Sequence, residues 1–151
     1  METEPELPLA LRAAYLALHR KTDARFTKLD VTADQFVLLT ALSDGQVLTQ
    51  RELAGRISSD PSTVRAMLVL LERKGFVKRD VHPTDLRAKA VSLTTVGKRM
   101  QKKLWKAGQP IRDEMYRCMS PDEADVLVTL LCKMACVLSD VSVPVQAPSK
   151  R

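Results

Sequence analysis

Cysteine, histidine, glycine and aromatic residues are all scarce in this chain, and each shortage removes a class of function. Three cysteines are an odd number and give no disulfide framework. Cys132 and Cys136 stand four apart, which can suit a metal. The two histidines, His19 and His82, lie far from them in sequence, so a four-ligand zinc spacing is missing. Cys118, Cys132 and Cys136 read instead as small core residues in apolar helices. The five glycines form no phosphate-cradling loop, and no Ser, His and Asp grouping carries a supporting motif. An enzyme is therefore not expected, and neither a cofactor nor a metal is called for. Aromatic residues are only 4% of the chain, so the core must come mostly from Leu, Val, Met and Ala. The apolar runs fall far short of a bilayer span. The opening Met1-Glu2-Thr3-Glu4-Pro5-Glu6 is acidic where a signal peptide needs positive charge. The expectation is a reduced, cytoplasmic protein with no membrane partner.

What is present is positive charge, unevenly spread. The chain of 151 residues carries a net +6. Residues 49–106 hold 14 Lys/Arg against 5 Asp/Glu, a net +9, and the remainder holds 10 against 13, a net −3. A basic middle between slightly acidic ends is the footprint of polyanion binding. Charge alone would equally describe a solvated surface, so the motifs must decide.

They do so between Leu48 and Leu93. Thr49 and Glu52 have capping-box spacing, and Leu53, Ala54 and Ile57 give the helix that follows one apolar face. Ser58-Ser59 breaks it. Asp60 is a good N-cap, with Pro61 at the first helical position, where no amide is needed. The second helix runs to about Lys74 and stops at Gly75. Val64, Met67, Leu68 and Leu71 form its inward stripe. Ser62, Arg65, Ala66, Val69 and Arg73 face the other way, with Thr63 on the flank. Phe76–Val81 and Lys89–Leu93 have strand character around the polar loop His82–Ala88. Two close helices followed by a basic hairpin make a winged helix-turn-helix, in which the start of the second helix enters the major groove.

Around this unit the pattern is helical. Leu11, Tyr15, Leu18, Thr22, Phe26 and Leu29 form a seam from Leu7 onward. Thr32-Ala33-Asp34-Gln35 is a second capping box, opening a helix through Leu42. Gln46-Val47-Leu48 reads as a short extra strand for the wing. After the wing, Thr94 caps a long helix with the seam Val96, Met100, Leu104, Ala107, Ile111, Met115 and Cys118. Pro110 should kink or split it. Ser120-Pro121-Asp122-Glu123 opens a last helix to about Leu138 that is apolar nearly all round. Such a helix calls for a partner.

The expected fold is thus mainly α with a small β-hairpin wing: a winged helix-turn-helix plus terminal dimerisation helices. The organisation reads as a flexible N-terminus (1–6), dimerisation helices (7–31 and 107–139), a DNA-binding domain (32–106) and an extended tail (140–151).

The run Arg51-Glu52-Leu53-Ala54, then Asp60-x-Ser62-Thr63-Val64, then Leu71-Glu72-Arg73-x-Gly75-x-Val77-x-Arg79, resembles the MarR family of bacterial transcription regulators. So do Asp85-x-Arg87-x-x-x-Val91-x-Leu93-Thr94-x-x-Gly97 and, upstream, Thr32-x-x-Gln35-Phe36-x-x-Leu39. The resemblance covers roughly Leu7 to Leu138. It implies a homodimer on double-stranded DNA, often a repressor released by a small-molecule effector, commonly an aromatic carboxylate. It marks Arg87 as a minor-groove or backbone contact, with Asp85 positioning it. Family members often have Thr then Arg at positions 65 and 66. Here these are Arg65 and Ala66, so the cation is displaced by one residue.

On chemistry, Ser62, Thr63 and Arg65 are the first candidates for DNA contact, since hydroxyls donate to phosphates or base edges and Arg forks onto guanine. Arg51, Arg79, His82 and Lys89 are candidate phosphate contacts. Lys98, Arg99, Lys102, Lys103 and Lys106 read as solvated charge. Tyr15, Met100 and Trp105 are candidates to line an effector crevice between the dimer helices and the DNA-binding lobe; a core role competes for each. Two other readings remain in view: a protein-interaction module that keeps the winged shape, and a cysteine-based redox-responsive regulator.

Overall fold

Element boundaries in the computed structural model, which describes residues 6–139, follow the capping chemistry closely. Helix α1 (Leu7–Phe26) passes into a 3-10 turn, Thr27–Leu29. Helix α2 (Ala33–Ala41) opens on a full capping box: the Gln35 amide donates to Thr32 Oγ1, and the Thr32 amide to Gln35 Oε1, both at 3.1 Å. Strand β1 (Leu48–Thr49) leads directly into α3 (Gln50–Arg56). Helix α4 (Pro61–Arg73), strands β2 (Val77–Val81) and β3 (Lys89–Leu93), and helices α5 (Thr95–Ala107), α6 (Gln109–Arg117) and α7 (Pro121–Leu138) complete the order. The Ser120–Glu123 capping box at α7 is also reciprocal.

Thr49 departs from the expected box. Its hydroxyl accepts from the Glu52 amide at 3.1 Å, but the Glu52 carboxylate accepts from that same hydroxyl instead of reaching the Thr49 amide. Thr49 is also a ladder residue, opposite Ala90. The extra strand is shorter than the expected Gln46–Leu48 and ends one residue later: Leu48 and Thr49 pair with Val91 and Ala90. The sheet is antiparallel in the order β1-β3-β2, with Val77 opposite Leu93 and Val81 opposite Lys89.

Helices α3 and α4 end alike. After α4, the Phe76 amide donates to Leu71 O and the Gly75 amide to Glu72 O, both at 2.9 Å, with Gly75 at φ 76°. After α3, the Ser59 amide donates to Ala54 O and the Ser58 amide to Gly55 O, with Ser58 at φ 53°. Both are Schellman ends, satisfying carbonyls that a helix terminus leaves open. The second uses serine where glycine would fit without a steric penalty.

The core belongs to the winged lobe. Leu38, Leu39, Leu42, Leu53, Val64, Leu68, Leu71, Val91 and Leu104 are fully buried. Phe26 joins them from the end of α1, edge-on to Phe36 at 5.0 Å. Buried polar groups are few; Gln101 Nε2 donates to Thr40 Oγ1 at 3.4 Å.

Two expected seams hold only in part. In α1, Phe26 alone is buried, while Leu11, Tyr15 and Leu18 are exposed. In α5, Val96 is exposed and Gly97 lies inside. A Cβ on Gly97 would stand 1.9 Å from the Phe76 carbonyl oxygen, so α5 turns its one glycine toward the β2 backbone and rotates Val96 out. Beside this contact the Thr94 amide donates to Phe76 O at 3.0 Å. The split expected near Pro110 occurs at Gly108, which leaves Pro110 in the first turn of α6, where its missing amide leaves no carbonyl unpaired. The readings of a loose N-terminus and an extended tail fall mostly on residues outside 6–139.

Candidate nucleic-acid interface

Helix α4 divides into two faces. Val64, Leu68 and Leu71 are fully buried, and Met67 packs against the same core. Ser62, Arg65, Ala66 and Arg73 are exposed on the other side, with Val69 half-buried among them. The start of the helix is fixed by Asp60, whose Oδ1 accepts from the Thr63 amide at 2.9 Å. Its Oδ2 accepts from the Thr63 hydroxyl at 2.5 Å. These two bonds, the hydroxyl first, hold the Asp60 carboxyl below its ordinary range. Thr63 thus takes part in fixing the helix start, with its hydroxyl proton directed at Asp60. Ser62 and Arg65 have no such commitment among the described residues.

The wing is joined to α4 by Arg79. Its Nε donates to Glu72 Oε2 at 2.7 Å and Nη2 to Oε1 at 3.4 Å. The bond from Arg79 is the main cause of the lowered Glu72 pKa, with Lys89 a smaller one. Arg79 thus ties β2 to α4. Lys89 is exposed at the loop end of the hairpin, opposite Val81, and Arg51 is exposed in the first turn of α3.

At the wing tip the expected Asp85–Arg87 relation takes another form. Asp85 Oδ1 accepts from the Arg87 backbone amide at 3.0 Å, and the Asp85 carbonyl accepts from the Ala88 amide at 3.1 Å. His82 Nδ1 accepts from the Thr84 and Asp85 amides, both at 3.2 Å. Asp85 and His82 therefore shape the turn, and Asp85 positions Arg87 through the backbone. Arg87 is exposed, and its guanidinium has no ion pair among the described residues.

A second feature lies on the far side of α5. A cavity of about 450 Å³ is lined by residues of α1, α2, α5, α6 and α7, including Tyr15, His19, Phe36, Trp105 and Arg112. Two of the three residues expected there are present, Tyr15 and Trp105. Met100 is not: it packs against the winged core. The residue that sequence reasoning missed is Arg112. Its guanidinium lies 3.8 Å from the Trp105 ring centroid, and Nη2 donates to Trp105 O and Gln109 Oε1. Burial lowers its pKa, opposed by Asp113 and Tyr116, and it forms no ion pair among the described residues. No local pattern marked it, since Trp105 and Arg112 stand on two helices that meet at Gly108. Among the described residues no three His, Cys, Asp or Glu side chains gather as a metal site, and no helix is long and apolar enough to cross a membrane.

A profile of the MarR family matches residues 31–89, from the start of α2 into the wing. The multiple antibiotic resistance protein MarR of Escherichia coli strain K12 is 34% identical over 107 residues, covering 70% of this chain and 74% of that protein. YdcH of Bacillus subtilis strain 168, described as an HTH-type transcriptional regulator, is 35% identical over 82 residues. That match covers 52% of this chain and 56% of YdcH. The Staphylococcus aureus MepR–DNA complex superposes with a TM-score of 0.80 at 26% identity, covering 90% of this chain and all of that one. The match with Escherichia coli MarR spans enough of both chains, and the fold agrees closely enough with a DNA-bound relative, that the conclusion is plain: this chain belongs to the MarR family of winged-helix, DNA-binding transcription regulators.

Proposed function

We propose that the protein is a homodimeric repressor that places one α4 in each of two successive major grooves and is released by a small aromatic carboxylate. The observation that carries the reading is the pairing of two outward cations, Arg65 on α4 and Arg87 at the wing tip, neither matched by a protein carboxylate among the described residues. Both belong to the segment of net charge +9. Arg65 suits a guanine edge and Ser62 a phosphate or base edge. Arg87 suits the minor groove, where negative potential is concentrated. Two-fold symmetry implies a palindromic site with half-site centres roughly 34–36 Å apart. Occupying a promoter in this way would block transcription.

The second copy is supported by α7. Only Ala124 of that helix is buried, while Val126, Leu127, Val128, Leu130, Val137 and Leu138 are all more than 40% exposed. With α1 and α6 it borders an open apolar groove of about 1170 Å³. Apolar surface this continuous is uncommon on a monomer. The effector is supported by Arg112. A flat ring fits the apolar wall of the 450 Å³ cavity, and its carboxylate would meet a guanidinium that has no carboxylate of its own. The cavity touches both the winged lobe and the terminal helices, so an occupant can bias how the two are set.

The test is fluorescence anisotropy of the purified protein on DNA from upstream of its own gene, beside a scrambled duplex, across a salt series. Tight, sequence-selective binding that weakens steeply with salt is expected. Equal binding to both duplexes would refute sequence-specific control of that promoter. Absence of binding at low salt would favour the protein-interaction reading. Added benzoate should then release DNA from the wild type and not from Arg112→Ala; release of both, or of neither, would remove the effector assignment.

A further inference from the structure

The outward face of α4 is notable for the chemistry it lacks. Between Pro61 and Arg73 there is no asparagine, glutamine or aspartate. In the major groove adenine is recognised best by a bidentate amide and cytosine by a carboxylate. The one carboxylate on this helix, Glu72, is held by Arg79. The Thr63 hydroxyl proton goes to Asp60. In the first half of the helix, hydrogen-bonding readout therefore rests on Ser62 and Arg65, with Arg73 exposed at the far end. Yet the middle of the face, one and two turns beyond Ser62, carries two apolar side chains: Ala66, exposed, and Val69, half-buried. Ser62, Ala66, Val69 and Arg73 recur at steps of four, three and four, so these side chains share one stripe opposite the buried Val64, Leu68 and Leu71.

An apolar patch between polar groups has one complement on the floor of the major groove, the C5-methyl of thymine. We propose that Ala66 and Val69 are specificity-determining residues that read A·T pairs by packing on thymine methyl groups, while Arg65 reads guanine beside them. The inference rests on α4 entering the major groove, as proposed above. Ala66 is short enough to let the helix backbone approach the base edges. Val69 is β-branched and holds essentially one rotamer in a helix, so little side-chain freedom is lost on contact.

The test begins with selection of binding sites from a randomised duplex pool by the full chain. The selected half-site is then synthesised with each thymine replaced in turn by uracil, which removes only the methyl. At least one replacement in the half-site should weaken binding about fourfold, the worth of one buried methyl group. In Val69→Ser or Ala66→Ser, with the helical content unchanged by circular dichroism, the matching thymine and uracil duplexes should bind alike. Half-sites without thymine, uracil tolerated within about twofold everywhere, or discrimination that survives in both variants would each overturn the proposal. If no sequence is enriched at all, the regulator reading falls, and this readout falls with it. An enriched site that ignores the methyl sinks the readout alone.

Discussion

Helices α4 and α7 are both rich in leucine and valine, yet they meet opposite fates. In α4 the apolar residues recur at three and four, and Val64, Leu68 and Leu71 are wholly buried within the chain. In α7 they lie on every side of 18 residues, and only Ala124 is buried. The first helix buries its main apolar stripe within one chain and turns outward a mixed face on which Ser62, Arg65 and Arg73 surround Ala66 and Val69. The second leaves most of its apolar surface exposed, the face on which the proposed second copy would pack. The lesson is that the period of an apolar pattern, more than its abundance, decides whether a helix is satisfied by its own fold.

The comparison can be broken at either end, and the largest effect is expected from α7. Placing charge in its groove face, as Leu130→Glu with Val137→Glu, should convert a dimer into a monomer by sedimentation. A stable dimer would refute the interface. Next is Gly97→Ala, which forces a Cβ against the Phe76 backbone at the root of the wing. Overpacking of this kind typically costs about 1–3 kcal/mol, and contact with backbone places it near the upper end. A denaturant midpoint unchanged from the wild type would show that the helix can shift away. Arg87→Ala leaves the fold intact and should weaken DNA binding across many sequences while lowering the salt slope by about one; an unchanged slope would remove the wing from the DNA contact. Smaller still, Ser58→Gly relieves a left-handed residue at the helix-turn-helix corner and should stabilise by up to about 1 kcal/mol. A lower melting temperature would mean that the serine side chain matters there.

The smallest effect concerns acid. The native Asp60 carboxyl titrates below its ordinary value of 3.8, chiefly because of the Thr63 hydroxyl. A depressed carboxylate contributes stability that is present above the unfolded pKa and lost as pH falls through the folded one. Asp60→Asn should therefore flatten the part of the acid-unfolding curve that lies below 3.8. Identical curves for the two proteins would detach the cap from acid stability.

Much of this architecture was legible because it is written in neighbouring residues. Thr32, Asp60, Thr94 and Ser120 each cap the helix that their spacing suggested, since a cap involves one side chain and an amide three residues on. Gly75 stops α4 as read. Features that join separate elements were not legible. The Arg79–Glu72 pair is one, because nothing local reveals that β2 brings Arg79 back onto α4. Met100 stood both on the apolar seam of α5 and among the candidates for the effector crevice; it packs on the winged core, while Trp105 of α5 and Arg112 of α6 line the cavity. A seam predicts which residues lie on one side, whereas steric contact with a distant backbone decides where that side points.

The two-faced build of α4 bears on how such a protein could change its target. The residues that hold the helix in place and those that face outward are separate sets. An altered outward stripe would leave Val64, Leu68 and Leu71 undisturbed. New binding preferences could therefore arise by single steps with little loss of foldedness, while the capped, pinned inner side keeps the helix aimed. On the proposed reading, that separation makes recognition evolvable: the outward surface can drift from one operator to another on an unchanged mount.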